Sequence, residues 1–368
     1  MLAKTIHSLF CFCLLLVLGC GKSGPESSRF FVADEYPEKL SDWGLIWLEG
    51  DSIKISEDST VYTLNSSLFS DYASKLRTIR LPKDQPAIYQ ENDSFVFPMG
   101  TVISKTFFYR SSDQQTVSLN NDWNGSPEDL TLDTIRLMET RLLVMQKTGW
   151  EALPYIWEGE DAYLTITGDL QELVRANTDE TFFYQIPSKN QCASCHTTNH
   201  SEGALLPIGL KARHLNHSNT DYGKNQLLYL QKNRRLAGLS NLEKVPKLAD
   251  FSDQSESLEA RARAYLDINC AHCHNQQGPA DTSALLLEYT DLDPRSYGRC
   301  KPPIATGRGS GGLLYSIVPG QAHESIMSFR LSSRDPAEMM PEIGRTLVHT
   351  EGVALINRWI NSMSGRCV

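Results

Sequence analysis

The sequence predicts an α+β, multidomain fold, in which a β-rich N-terminal domain is followed by a mainly α-helical region. Three observations lead there. Residues 41–185 hold runs of β-branched and aromatic residues separated by turn clusters. Helical periodicity enters only later, at 225–236, 258–268 and 351–362. The chain's 368 residues suffice for two or three domains of ordinary size.

The N-terminus reads as processing signal. Lys4 precedes an unbroken apolar run of ten residues, Leu9–Leu18, which is too short to span a bilayer but long enough for a signal-peptide core. Val17-Leu18-Gly19-Cys20 follows. A small residue and then Cys after such a core resembles a bacterial lipobox, so residues 1–19 are read as a lipoprotein signal peptide and Cys20 as the lipidated residue. The plainer alternative is an ordinary signal peptide beside a chance cysteine. Residues 20–40 are read as the lipidated Cys and a flexible tether, polar and Gly/Ser-rich from Gly21 to Ser28. This places the chain in the cell envelope, lipid-anchored and facing the periplasm. Gly21 rather than Asp after the cysteine points to the outer membrane. The formal charge of −9 argues against nucleic acid, which needs concentrated Lys and Arg.

Within 41–185, strands are expected at Phe95–Pro98, Gly100–Tyr109, Glu139–Val144 and Tyr163–Thr167, with a turn at Asn121–Pro127. Met99, Met138 and Met145 are this region's only soft ligands, and it contains no His. Residues 186–254 are loop-rich with one helix near 225–236. Residues 255–368 begin with a helix over 258–268 capped by Ser255 or Ser257, which puts Leu258, Ala262, Tyr265 and Leu266 on one face. They end with a helix over 351–362, with Val353, Ile356, Trp359 and Ile360 on one face.

The nine cysteines sort without remainder. Cys11 and Cys13 leave with the signal, and Cys20 holds lipid. Four lie in two CxxCH motifs, Cys192-Ala193-Ser194-Cys195-His196 and Cys270-Ala271-His272-Cys273-His274. Cys300 and Cys367 remain, an even pair that predicts a disulfide in an oxidising compartment.

In CxxCH, two thiols add across the haem vinyl groups, and the adjacent His swings under the iron as proximal ligand. Two haem c groups are therefore expected, on Cys192, Cys195 and His196 and on Cys270, Cys273 and His274. Zinc and a redox dithiol are the competing uses of such residues. The dithiol would want a βαβ context, which is missing. Residues 186–254, which hold the first motif, are read as the first haem-binding region; in 255–368 the helix, CxxCH and closing aromatic helix resemble the plan of a class I cytochrome c, which implies a cytochrome c-like domain with the second haem. Met340, before Pro341 and 66 residues after His274, is the expected sixth ligand of haem 2; Met339 and Met327 are its rivals. No Met lies between Met145 and Met327, so haem 1 has no local thioether. Its sixth ligand is left open among His214, His217, a Met from the N-terminal region, or none. His272 is read as solvent-exposed, His323 and His349 as ordinary residues, and Gly307–Gly312 as a loop wrapping the haem pocket.

The chain resembles an uncharacterised bacterial family of dihaem c-type cytochrome lipoproteins. The resemblance rests on Leu68–Tyr72, Phe97–Thr101, Glu139–Leu143, Asn190–His196, Tyr265–His274, Ile317–Gly320 and Met339–Pro341, and it covers nearly all of the chain after the signal. It implies haem binding and electron transfer with an unknown redox partner protein, and an envelope β-helix protein as a second partner. The rival expectations are a peroxidase-like enzyme with haem 1 open to small molecules, and a sensor or assembly factor. Dihaem peroxidases also carry two CxxCH motifs. Here the motifs lie only 78 residues apart, after a long segment without one, unlike the peroxidase plan.

Overall fold

The computed structural model describes residues 28–368, except 121, 122, 124, 179, 220 and 305. The signal peptide, Cys20 and the Gly21–Ser27 stretch lie outside the described residues. Twelve strands occupy the N-terminal half: β1 Ile46–Glu49, β2 Ser52–Ile55, β3 Ser59–Val61, β4 Ser74–Arg80, β5 Ala87–Ile88, β6 Val102–Ser111, β7 Thr116–Ser118, β8 Ile135–Gln146, β9 Gly149–Glu158, β10 Asp161–Leu164, β11 Asp169–Arg175 and β12 Thr181–Ile186. Six α-helices follow: α1 Lys189–His196, α2 Ala212–Leu215, α3 Gln226–Lys232, α4 Leu258–Cys270, α5 Ile326–Ser332 and α6 Thr350–Ser362.

Nine strands build one mixed sheet in the order β10-β9-β8-β6-β7-β11-β12, with β4 lying beside β6 and β3 beside β4. All its pairings are antiparallel except β7 with β11. Both faces of its centre are buried, because alternate residues point to opposite sides. One face carries Leu76, Val102, Leu142, Val144, Leu153 and Tyr155 under the β1–β2 hairpin and Trp43. The other carries Ile79, Ile103, Leu143 and Ala152, and packs on Cys192, Leu210, Leu215 and Leu227. The first CxxCH region thus shares a core with the sheet, and β5 pairs with Leu236–Ala237 from that region. Residues 28–40, expected as tether, also pack: Phe31 meets Trp43 edge-on and Tyr36 stacks on it.

The expected mainly α-helical haem-binding region is not what forms. The protein is mostly β-sheet with short helices. Residues 186–254 hold only α1, α2 and α3, of 8, 4 and 7 residues. Residues 255–368 are dominated by loops between α4, α5 and α6, so the mainly helical class, ending in a class I cytochrome c-like domain, is overturned. The reason lies in punctuation. Pro279, Pro294, Pro302, Pro303 and Pro319 remove amide donors between α4 and α5, and Gly298, Gly311, Gly312 and Gly320 take positive φ there. The expected 225–236 helix stops at Lys232, because Arg234 adopts φ +55°. Gly307–Ser310 forms a surface turn whose Arg308 bonds Asp335 and Glu338, rather than a loop around the cavity described below.

Three tethers replace long helices. The Cys300–Cys367 disulfide spans 67 residues, with Cα atoms 5.1 Å apart; closing a loop of that length stabilises by about 4 kcal/mol in the chain-entropy account. Asp71, buried at the sheet edge, accepts the amides of Thr346 at 2.9 Å and Leu347 at 2.8 Å. Asp267 of α4 accepts from Arg213 Nε and interacts with His214 Nε2, each at 3.0 Å, and takes the Tyr289 amide at 2.9 Å. Finally, α4 and α6 cross closely where Gly352 lies against Tyr265; a Cβ there would stand 2.3 Å from the Tyr265 hydroxyl. Among the described residues, no helix is long and apolar enough to cross a membrane.

Gly352→Ala should therefore destabilise by about 1–3 kcal/mol through overpacking, read from the urea midpoint. Acid should weaken the fold in two stages. Burial opposes the ionised Asp267, but the His214 hydrogen bond and the Arg213 charge outweigh it and hold the carboxyl well below the usual range. Burial likewise holds His214 below its ordinary value. Both folded values lie below the unfolded ones, so both contributions are present at neutral pH. They are lost as pH falls, first through about 6.5 for the histidine and then below about 4 for the carboxylate. Asp267→Asn should cost about 3–5 kcal/mol at pH 7 and flatten the lower stage. A urea midpoint independent of pH between 7 and 4 would contradict this assignment.

Candidate functional site

The first CxxCH sits on α1. Ser188 caps this helix: its hydroxyl accepts the Gln191 amide at 3.3 Å, while the Gln191 side chain accepts the Ser188 amide at 2.9 Å. The helix carries Cys192 and Cys195 three residues apart, on one face, and ends at His196. His196 Nδ1 donates to the Leu206 carbonyl at 2.8 Å, and Nε2 has no hydrogen bond among the described residues. An imidazole anchored on one nitrogen and free on the other is prepared to bind a metal through the free one. Burial first, then the Lys105 and Arg141 charges, push its pKa down to about 4, with the Leu206 carbonyl opposing; the ring is neutral at pH 7.

The second motif closes α4. Ser257 caps that helix through the Ala260 amide at 3.2 Å. After Cys270 the chain tightens, and the His274 amide donates back to the Cys270 carbonyl at 2.9 Å. Burial lowers His274 to about 4 and raises both the Cys270 and Cys273 thiols to about 12. The two motifs touch: Cys273 Sγ lies 3.6 Å from the Ser194 carbonyl, and the His200 amide donates to the Gln277 carbonyl at 2.8 Å. All four motif cysteines are free thiols.

One cavity of about 100 Å3, open to solvent, lies between them, although Cys273 and His274 do not line it. Cys192, Cys195, His196, Cys270, His272 and Met340 line it together. Met340 is held there by Arg345. This buried guanidinium donates to the carbonyls of Arg330, Ser333, Met340 and Leu347 at 2.9 to 3.2 Å. The Met340 amide in turn donates to the Arg330 carbonyl at 3.0 Å. Met339 and Met327 are buried instead and do not reach the cavity.

The sheet supplies the remaining wall, and it is cationic. Arg77 faces Lys105 across β4–β6, and Lys105 faces Arg141 across β6–β8, so three like charges lie directly opposite one another. Lys75 lies one pleat along. Lys75, Lys105 and Arg141 all stand over the Phe107 ring, at 5.7, 4.9 and 4.3 Å. Glu139 takes Arg141 with both oxygens, at 2.5 and 2.8 Å, and also accepts from the Tyr184 hydroxyl at 2.7 Å. Lys75, Arg77 and Lys105 make no ion pair among the described residues, and Arg77 Nη2 is buried without a partner. Burial, then the neighbouring cations, push Lys75 and Lys105 well below the usual lysine range. Like charges opposed on a buried sheet face are destabilising, and each unpaired buried ion costs several kcal/mol. Lys105 and Arg141 open onto the cavity. This row escaped the sequence reading; its signal was a basic residue at alternate, inward positions of three expected or possible strands.

The other candidates divide. His214 is buried in the Asp267 cluster, and His217 bonds the Thr63 carbonyl at 3.1 Å through Nε2 and the Ser218 carbonyl at 3.0 Å through Nδ1. Neither lines the cavity. Met99 is exposed, Met138 is wholly buried within the sheet core and Met145 packs against the cluster that contains Cys192 without lining the cavity. His323 is on the surface. His349 lines the cavity but is engaged: it stacks on Phe69 with centroids 4.3 Å apart, and its Nδ1 meets the Tyr265 hydroxyl at 3.1 Å. His272, expected on the surface, is buried instead, and its Nδ1 has no partner. Such an orphaned buried group costs about 1–3 kcal/mol. Among the described residues, no three His, Cys, Asp or Glu side chains are grouped to hold a bare metal ion. No family model matches the chain, and no curated protein or solved structure is significantly similar to it.

Proposed function

We propose that the chain is a dihaem c-type cytochrome of the cell envelope that transfers electrons between partner proteins. The observation that carries this reading is the convergence of both CxxCH motifs on one cavity that also holds a thioether and a surplus of positive charge. The residues fit the group chemically. Cys192 and Cys195, and Cys270 and Cys273, are free, paired thiols. His196 is neutral and oriented, with Nε2 available. Lys105 and Arg141 offer the countercharge that haem propionates require.

Haem bound at these cysteines supplies one-electron iron chemistry whose potential is tuned by axial ligands and burial. The chain's own part is positional. The Leu206 carbonyl sets the His196 tautomer. Arg345 fixes the loop that presents Met340, the proposed sixth ligand of haem 2. Contact between the loop of Cys273 and the end of α1 keeps the two attachment points adjacent, which suits exchange between them. The Cys300–Cys367 disulfide suits an oxidising compartment and supports an envelope location. Anchoring through lipid on Cys20, and docking to an unidentified redox protein or an envelope β-helix protein, complete the proposal.

Expression with covalent haem-attachment machinery should yield two haems per chain, by intact mass and by pyridine haemochrome. Cys192→Ala/Cys195→Ala should retain one. A chain that stays haem-free, or that takes up zinc, would sink the reading. Met340→Ala should abolish the weak thioether-to-iron absorption of the oxidised protein while both haems stay attached. Lys105→Met should lower one reduction potential, on the order of tens of millivolts, because a nearby cation favours the reduced iron.

A further inference from the structure

We propose that His272, set between the two cysteines of the second motif, is the sixth ligand of the haem carried by the first. The inference rests on the dihaem reading and goes beyond it, by joining the two haem sites through one shared residue.

Three observations point there. The His272 ring lines the cavity together with Cys192, Cys195 and His196. It is 8 % exposed, and neither ring nitrogen has a hydrogen-bond partner among the described residues, Nδ1 being wholly enclosed. A buried imidazole is normally satisfied on at least one side; one left bare beside a proposed iron site is available as a ligand. Finally, the loop that carries it is seated against the first motif, through Cys273 Sγ on the Ser194 carbonyl and through His200 on Gln277 and Gly278.

Connectivity chooses between the two irons. His272 lies two residues before His274, inside the short loop that Cys270 and Cys273 would tie to haem 2, and so short a tether would not let both imidazoles ligate that same iron. The remaining iron is that of haem 1. The other candidates for that position are occupied elsewhere: His214 with Asp267, His217 with Thr63 and Ser218, His200 with Gly278, and His349 with Tyr265 and Phe69. No methionine of the N-terminal half lines the cavity.

The ligation makes haem 1 bis-imidazole and low-spin, and haem 2 of different type. Near-infrared magnetic circular dichroism of the oxidised wild-type protein tests this without any substitution. One bis-imidazole band and one imidazole–thioether band are expected. Two thioether bands, or a high-spin signal from half of the iron, would overturn the proposal. In His272→Ala, half of the haem should become high-spin and bind one carbon monoxide per chain when reduced, and added imidazole should restore the low-spin spectrum. His272→Met should keep haem 1 low-spin and raise its potential. His349→Ala and His214→Ala should leave the spin states unchanged; a high-spin haem in either of these, with His272→Ala unaffected, transfers the role and defeats the assignment. Counting haems per chain in every variant separates the two levels of failure. No haem in the wild type defeats the cytochrome reading, whereas two low-spin haems in His272→Ala defeat only the ligand.

Discussion

Four basic side chains, Lys75, Arg77, Lys105 and Arg141, are gathered on one face of the sheet, and among the described residues Glu139 is the one carboxylate that forms an ion pair with any of them. Coulomb repulsion between neighbours at strand spacing is unfavourable in any protein-like dielectric. The arrangement survives because the surrounding structure over-determines it. The strands carrying these residues are also buried on their opposite face by Leu76, Val102, Leu142 and Leu153, so register cannot slip without exposing that whole set. Phe107, set under three of the cations, recovers part of the loss. An anionic partner in the adjoining cavity would meet Lys105 and Arg141, whereas Lys75 and Arg77 line a separate cavity. The sheet is thus read as half of a binding site, and the two CxxCH loops as the other half.

The division of labour between sheet and loops explains why so much of residues 186–368 lacks regular structure. A disulfide, two buried carboxylates that bind backbone amides and one buried guanidinium each hold a loop directly. Asp71 fixes 346–347, Asp267 fixes 289, and Arg345 gathers four carbonyls around Met340. Segments restrained in this way need not be helical to be ordered.

This also marks what was legible in the sequence. The two CxxCH motifs, the Cys300–Cys367 pair, the strands at 100–109 and 139–144 and the helices at 258–268 and 351–362 were local signals, and the structure has these elements within a few residues. The class of the second half was misread because helical periodicity in α4 and α6 was extended to the loops between them, where Pro and Gly dominate. The cation row was invisible for a different reason. Whether Lys75, Lys105 or Arg141 faces solvent or core depends on strand pairing across 66 residues of chain, and no single strand reports it. The burial of His272 is not legible in its own loop, because the lid over it is the first motif, 78 residues earlier in the chain.

The two CxxCH loops pack on each other and are interdependent: the His272 environment exists only when α1 is in place, and the end of α1 is covered only when the second loop is closed. Any movement that separates the motifs unpairs the contacts at Ser194 and Gln277. The cavity beside the first motif is itself open to solvent, so the contacts at Ser194 and Gln277 couple the two loops without closing that cavity.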